Sequence, residues 1–256
     1  MTAAAARIMS AVWLAALAMA GARVSHAGLD QPIDGARYPT AGIVAHREYR
    51  ALVRAMPESC ALFGALVGFN DVTHLGVYYG VFNLVDVGDP VFFDHVGFDA
   101  RVRLAAETRW PALAAGFDSQ GWGPYDGNER RYQRKSPGFY LVASKNWHSF
   151  AGDLSLTAGA NYTLETRDDD RAPNFFASAD WFIARHVSLL VDFDAARNDN
   201  AKDGLYGEGG VYVDAGIRAL LGDKVSLMLV FSDLTHNLAP GDDSGREVQL
   251  VFADTF

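Results

Sequence analysis

Residues 187–195 read VSLLVDFDA, and this stretch decides the fold class. Every second residue from Val187 onward is apolar, whereas Asp192 and Asp194 stand between apolar neighbours. A period of two is that of a β-strand, in which successive side chains point to opposite faces. The stretch therefore predicts a strand with one apolar face and one mostly polar face.

The same alternation returns along the chain, at residues 154–164, 211–219, 225–231 and 248–256. Strands of this kind suit a closed transmembrane barrel, with the apolar face toward lipid, the polar face toward the lumen and no unpaired backbone edge. A soluble sandwich or lipocalin-like barrel, in which the apolar face points inward, is the alternative. Alternation alone does not separate the two.

The connections between strands favour the membrane barrel, because they fall into two alternating classes. Short turns lie at Asn70, Arg109, His148, residues 184–185 and residues 222–223, and longer polar connections lie near Pro57, Asp86, Tyr125, Asp169, Asn200 and Pro240. Short periplasmic turns and longer extracellular loops are typical of outer-membrane barrels. The sequence predicts an all-β, closed antiparallel transmembrane β-barrel of about 12 strands, with 10 or 14 as alternatives.

Two regions are harder to interpret. A weak alternation through Ala41, Ile43 and Ala45 to Val53 predicts the first strand, although a helix over residues 47–56 competes with it. Residues 120–137 are rich in Gly, Tyr, Arg, Asp and Asn, which predicts a loop in water or at a carbohydrate-bearing surface.

The N-terminal residues predict export. Arg7 precedes an apolar run at residues 9–22, and small residues at Ser25 and Ala27 flank His26. This pattern is typical of a signal peptide over residues 1–27, cleaved near Ala27. The expected mature chain, residues 28–256, would be a barrel domain in a bacterial outer membrane.

Composition excludes one class of partner. The formal net charge is −9, and no long Lys/Arg cluster is present. These features argue against nucleic acid as a partner. The single cysteine, Cys60, is expected to be a packing residue.

Several segments resemble one family. The segments WPALAAGF at residues 110–117 and YLVASK at residues 140–145, with shorter pieces at residues 198–200, 216–218 and 246–248, resemble YjbH-type exopolysaccharide-biosynthesis outer-membrane proteins. The resemblance implies outer-membrane lipid as the surroundings, and polysaccharide or its secretion machinery as a partner. The last strand, ending on Phe256, further predicts recognition by barrel-assembly machinery.

The predicted inner face carries many charges. Placing an Arg side chain in lipid near the bilayer midplane costs about 2–4 kcal/mol of folding free energy, so these side chains are expected to point inward. The predicted lumen-facing polar network comprises Arg101, Arg103, Glu107, Asp118, Asp180, Asp192, Asp214 and Arg218. Such a network either fills the interior with paired charges or lines a path for a small hydrophilic solute or a sugar polymer.

No catalytic or metal-binding pattern stands out. His148 and Ser149 are adjacent, so a strand would point them to opposite faces. Residues 194–204 offer oxygen ligands for Ca²⁺ but lack the spacing of an EF-hand, which favours a solvated loop. We therefore expect no enzyme, metal or cofactor.

The main hypothesis is a non-enzymatic barrel that assists exopolysaccharide secretion or assembly. A passive pore for small hydrophilic solutes is the alternative, ahead of an outer-membrane hydrolase.

Overall fold

The computed structural model describes residues 23–24, 32–57, 59–84, 89–199, 206–239 and 245–256. Twelve strands form a barrel wall: β1 Glu48–Met56, β2 Cys60–Asn70, β3 Thr73–Phe82, β4 Gly97–Ala105, β5 Ala112–Asp118, β6 Gly138–Ser149, β7 Gly152–Tyr162, β8 Asn174–Ala184, β9 Val187–Asp194, β10 Tyr212–Leu221, β11 Val225–Phe231 and β12 Arg246–Thr255. The predicted signal peptide and its cleavage site lie outside the described residues, except for a two-residue strand, Arg23–Val24, that pairs with the end of β6.

The sheet closes on itself. Each barrel strand pairs antiparallel with the strands before and after it, and β12 returns to β1, where Leu250 pairs with Val53. The pairing of β5 with β6 spans the longest predicted loop, with Asp118 opposite Gly138. The predicted fold class and the even count of about 12 strands are confirmed.

The outer surface carries a continuous apolar belt. Across four neighbouring strands, Leu189 pairs with Ile217, Ile217 with Leu229, and Leu229 with Val248. All four side chains are at least one-third exposed, whereas Leu190, next to Leu189, is buried. An apolar exterior over a polar interior is the pattern of a membrane-spanning barrel and the reverse of a soluble one.

The connections divide the barrel into two ends. The short-turn end carries the turns β2–β3, β4–β5, β6–β7, β8–β9 and β10–β11, and the other end, the long-loop end, carries the connections β3–β4, β5–β6, β7–β8, β9–β10 and β11–β12. The expected long connection near Pro57 is wrong, because Met56 pairs with Cys60 and only residues 57–59 join β1 to β2.

The expected first strand is also partly wrong. β1 begins at Glu48, and the alternative helix over residues 47–56 is absent from this described segment. Ala41 and Ile43 are buried inside the barrel rather than in its wall, with Ala41 fully buried. Their apolar pattern does not mark the lipid face of a strand, because a segment inside the barrel is shielded from both water and lipid and packs on all sides.

Apolar packing fills part of the interior near β1–β3. Cys60 is 3% exposed and belongs to a cluster with Leu62, Leu66 and Val44, as expected of a packing residue. Among the described residues, no helix is long and apolar enough to cross a membrane.

Candidate functional site

Residues 32–45, here called the lumenal hairpin, lie inside the barrel except for Ala45, which is exposed at the end of the segment. A tight turn reverses the chain, with Gly35 N donating to Tyr38 O at 2.9 Å and Thr40 N to Ile33 O at 3.0 Å. The segment leaves at the short-turn end, where Arg47 N donates to Gly68 O at 3.1 Å just before β1. The hairpin therefore enters the lumen and returns to the mouth at which β1 begins.

The tip of the hairpin, Arg37 and Tyr38, is bound by carboxylates of the wall. The Arg37 guanidinium contacts Glu247 of β12, and its Nε lies 3.4 Å from Asp214 of β10. The backbone N–H groups of Arg37 and Tyr38 donate to Asp192 of β9 at 2.7 and 3.1 Å. Gly35 is required in this turn, since a Cβ there would lie 2.5 Å from Asp192 Oδ1.

Arg101 of β4 holds both limbs of the hairpin. Its Nη1 donates to Ile33 O at 2.6 Å and to Gly42 O at 3.0 Å, and its Nη2 donates to Asp34 at 3.0 Å. Its Nε donates to the Tyr140 hydroxyl at 2.7 Å. The buried guanidinium thus satisfies carbonyl groups that an irregular segment would otherwise leave unpaired.

His74 of β3 provides a second attachment. Val44 N donates to His74 Nδ1 at 3.1 Å, and His74 Nε2 lies 3.2 Å from Asp99 Oδ2. Because Nδ1 accepts, the ring proton belongs on Nε2, which donates to Asp99. The imidazole, which is fully buried, therefore joins the hairpin to β4 in its neutral form.

Arg218 of β10 completes the attachment on the opposite wall. It pairs with Asp180 of β8 at 2.5 Å and donates to the carbonyl oxygens of Asp34 and Gly35 at 2.8 and 3.2 Å. Polar side chains of the wall thus contact the hairpin from several directions.

A second element closes the long-loop end. Residues 120–137 contain a two-stranded hairpin, Trp122–Asp126 with Arg131–Arg134, here called the loop hairpin. Arg134 is buried and pairs with Asp214 at 2.8 Å and Asp194 at 3.4 Å. The expected solvated loop is therefore wrong, because ion pairs with distant strands draw this segment inward.

Further ion pairs join the loop hairpin to residues in the connections between wall strands. Arg131 pairs with Asp168 at 2.5 Å and with Asp199, and its guanidinium stacks 3.8 Å from the centre of the Tyr206 ring. Lys135 also pairs with Asp168, at 2.7 Å. Asp199 is buried, so the described part of residues 194–204 is not the solvated loop that was expected.

The predicted polar network divides into two groups. Arg101, Asp180, Asp192, Asp214 and Arg218 surround the lumenal hairpin, as described above. The other three lie apart: Arg103 is half-buried near the β2–β3 turn, Glu107 pairs with Lys145 at 3.0 Å, and Asp118 accepts from Gln120 N at 2.8 Å.

Sequence reasoning missed the partners of this network. Arg37, Arg134 and Glu247 were not predicted to face the lumen, although each is buried there. One signal was available, since the predicted inner face of β8–β10 carries four carboxylates, Asp180, Asp192, Asp194 and Asp214, and only one arginine. Buried carboxylates require cationic or hydrogen-bonding partners, so cations from elsewhere in the chain had to reach them.

The histidine and serine considered for hydrolysis act in a turn. His148 Nδ1 contacts Asp153, and the Ser149 hydroxyl donates to Gly152 O at 2.9 Å and accepts from Ala151 N at 3.2 Å. These contacts stay within the β6–β7 connection. They stabilise the turn and direct the hydroxyl toward backbone groups.

A cavity of about 690 Å³, the vestibule, lies at the short-turn end. Its lining includes Asp34 and Gly35 of the lumenal hairpin, Arg185 and His186 of the β8–β9 turn, and Arg218 of the wall. The lining also contains apolar side chains, among them Leu52 and Leu66. The vestibule thus reaches from the short turns to the lumenal hairpin.

Known structures with a similar arrangement are outer-membrane barrels. The chain is similar to a KdgM porin (TM-score 0.49, 7% identity, covering 80% of this chain and 98% of that one). It is also similar to a COG4313 outer membrane channel from Pseudomonas putida F1 (TM-score 0.46, 10% identity, 91% and 100% covered) and to Omp33 of Acinetobacter baumannii (TM-score 0.45, 8% identity, 83% and 99% covered). This likeness concerns the barrel fold alone.

Comparisons by sequence give no further assignment. No protein-family model matches the chain, and no curated protein matches it. The YjbH-type resemblance therefore stays a prediction.

Proposed function

We propose that this protein is an outer-membrane pore for small hydrophilic solutes, with the lumenal hairpin as its constriction. The observation that carries the proposal is the vestibule, which leads from the short-turn end to a hairpin held by noncovalent contacts, among them hydrogen bonds and ion pairs. Noncovalent contacts of this kind open and close at equilibrium. Movement of the hairpin would extend the vestibule into the lumen.

The dimensions favour small solutes over a polymer. A vestibule of about 690 Å³ has room for a small molecule, within the range of ligand-sized pockets. A polymer in transit needs a continuous path, whereas peptide already occupies the lumen between the vestibule and the loop hairpin. The exopolysaccharide role consequently rests on the sequence resemblance alone.

Orientation follows from the general asymmetry of such barrels. Short turns face the periplasm and long loops face the cell exterior. In this orientation the vestibule would open to the periplasm, and the loop hairpin would lie on the extracellular side.

Conductance in planar bilayers tests the proposal. We expect the wild-type protein to give small, brief current steps, because the hairpin obstructs the lumen. Arg101→Met removes four hydrogen bonds from the hairpin and should give larger or longer openings.

The matched control is Arg103→Met, two residues along the same strand. The Arg103 side chain is half-buried and its hydrogen bond to Asp71 O is 3.5 Å long, so this variant should conduct like the wild type. Silent bilayers for wild type and Arg101→Met, after verified insertion, would refute the pore.

A further inference from the structure

The tip of the lumenal hairpin behaves like a bound ligand. The Arg37 side chain is 4% exposed, and its guanidinium lies against Glu247 and Asp214. The central carbon of this guanidinium group lies 5.3 Å from the centre of the Trp122 ring. Two carboxylates and an aromatic face together form a common recognition site for guanidinium groups.

We infer that this tip site, formed by Asp192, Asp214, Glu247 and Trp122, binds cationic solutes that carry a guanidinium group once the hairpin withdraws. The inference rests on the proposed function, because it names the class of solute that the pore would admit. In this view Arg37 is an internal competitor for the solute.

Electrostatics supports a cation at this position. The described residues include nine buried carboxylates and six buried Arg or Lys side chains. Withdrawal of the hairpin removes Arg37 from Glu247 and both backbone donors from Asp192. Arg134 remains, but it already pairs with Asp214 and Asp194. A buried carboxylate without a partner is strongly unfavourable, so the emptied site favours a cation and repels an anion.

Unused oxygen atoms point to the same conclusion. Glu247 Oε2 and Asp192 Oδ1 are buried without a hydrogen-bond partner in the described part of the chain. Asp192 Oδ1 faces the hairpin, since it is the nearest atom to a Cβ built on Gly35. The site therefore has acceptors available beyond those that Arg37 uses.

Chemical rescue tests the site separately from transport. Arg37→Ala removes the internal guanidinium, and methylguanidinium is the probe. We expect a saturable rise in melting temperature of the detergent-solubilised variant, and none for wild type or Arg103→Ala, because a ligand stabilises only the state that it binds. Adding Glu247→Gln to Arg37→Ala should weaken this binding by about tenfold, as expected for one charge-assisted hydrogen bond.

If Arg37→Ala does not fold alone, the refolding yield replaces the melting temperature. Methylguanidinium should then restore the folded, heat-modifiable form, and the double variant with Glu247→Gln should fold without it. Rescue that is absent in both formats, or that is equal for wild type, would overturn the inference.

Conductance separates this inference from the proposed function. In an open Arg37→Ala pore, millimolar L-arginine should reduce the current and L-glutamate should not. Conductance without block by L-arginine would refute the solute class and leave the pore intact. Saturable methylguanidinium binding in a protein that never conducts would support the site and refute the pore.

Discussion

Arg101→Met should release the lumenal hairpin without unfolding the barrel. Arg101 donates four hydrogen bonds to the hairpin, at 2.6, 3.0, 3.0 and 3.3 Å, from a side chain that is 1% exposed. Methionine keeps much of the apolar stem but offers no donor, and Asp34 loses its ion pair. A hydrogen bond to a charged group contributes about 1.5–3 kcal/mol, so losing these contacts should cost at least about 3–5 kcal/mol. The hairpin should therefore open about a hundred to a few thousand times more often, at about 1.4 kcal/mol for each factor of ten.

Native-state hydrogen exchange measures this opening directly. The amides to follow are Thr40 N, which donates to Ile33 O, and Val44 N, which donates to His74. Their exchange rates should rise by the factor given above, whereas the amides of β9 should keep their protection, because opening is local.

The control is again Arg103→Met, whose exchange should stay within about threefold of wild type, as for most surface substitutions. Unchanged protection of the hairpin in Arg101→Met would refute the reasoning. Parallel loss of protection in β9 would refute it as well, because Arg101 would then stabilise the wall rather than the hairpin.

Two further predictions concern the wall and the long-loop end. Leu227 of β11 is 38% exposed on the apolar belt. Leu227→Arg should therefore reduce the stability of the protein folded into lipid vesicles by up to about 2–4 kcal/mol, measured by urea titration. An equal effect of Asp223→Arg, in the β10–β11 turn, would contradict this prediction. Glu165, in the loop after β7, accepts a hydrogen bond from Tyr132 N of the loop hairpin at 2.9 Å, and burial raises the pKa of Glu165 from 4.5 to about 7. The stabilisation that comes from the protonated carboxyl group is fully present below pH 4.5 and is lost as the pH rises through 7. Hydrogen-exchange protection of the loop hairpin should follow this trend in wild type and should not change with pH in Glu165→Gln.

The wall of this barrel was predictable because each strand meets two different solvents. Lipid outside and a polar lumen inside impose a period of two, which residues 187–195 and 154–164 show clearly. The same argument located most turns. It failed at Ala41 and Ile43, because a segment inside the lumen has neither a lipid face nor a water face and its pattern carries no information on pairing.

The contents of the lumen were less predictable, since they depend on contacts between distant parts of the chain. Arg134 lies 80 residues from Asp214, and Arg37 lies 210 residues from Glu247. Local composition placed residues 120–137 in water, because a charged segment and a paired, buried one have the same composition. Only the surplus of carboxylates on β8–β10 indicated that cations had to be supplied from elsewhere.

The position of the lumenal hairpin bears on the order of assembly. Both of its limbs meet the short-turn end: Pro32 and Ile33 line the vestibule there, and Arg47 N donates to Gly68 O beside the β2–β3 turn. A doubled segment with both ends at one mouth is not threaded through the barrel. It can therefore be inserted after the seam between β12 and β1 has formed, and it can leave again while all twelve strands stay paired. Closure of the wall and filling of the lumen are thus topologically independent events, and a late-folding hairpin would be the last part of the chain to acquire protection.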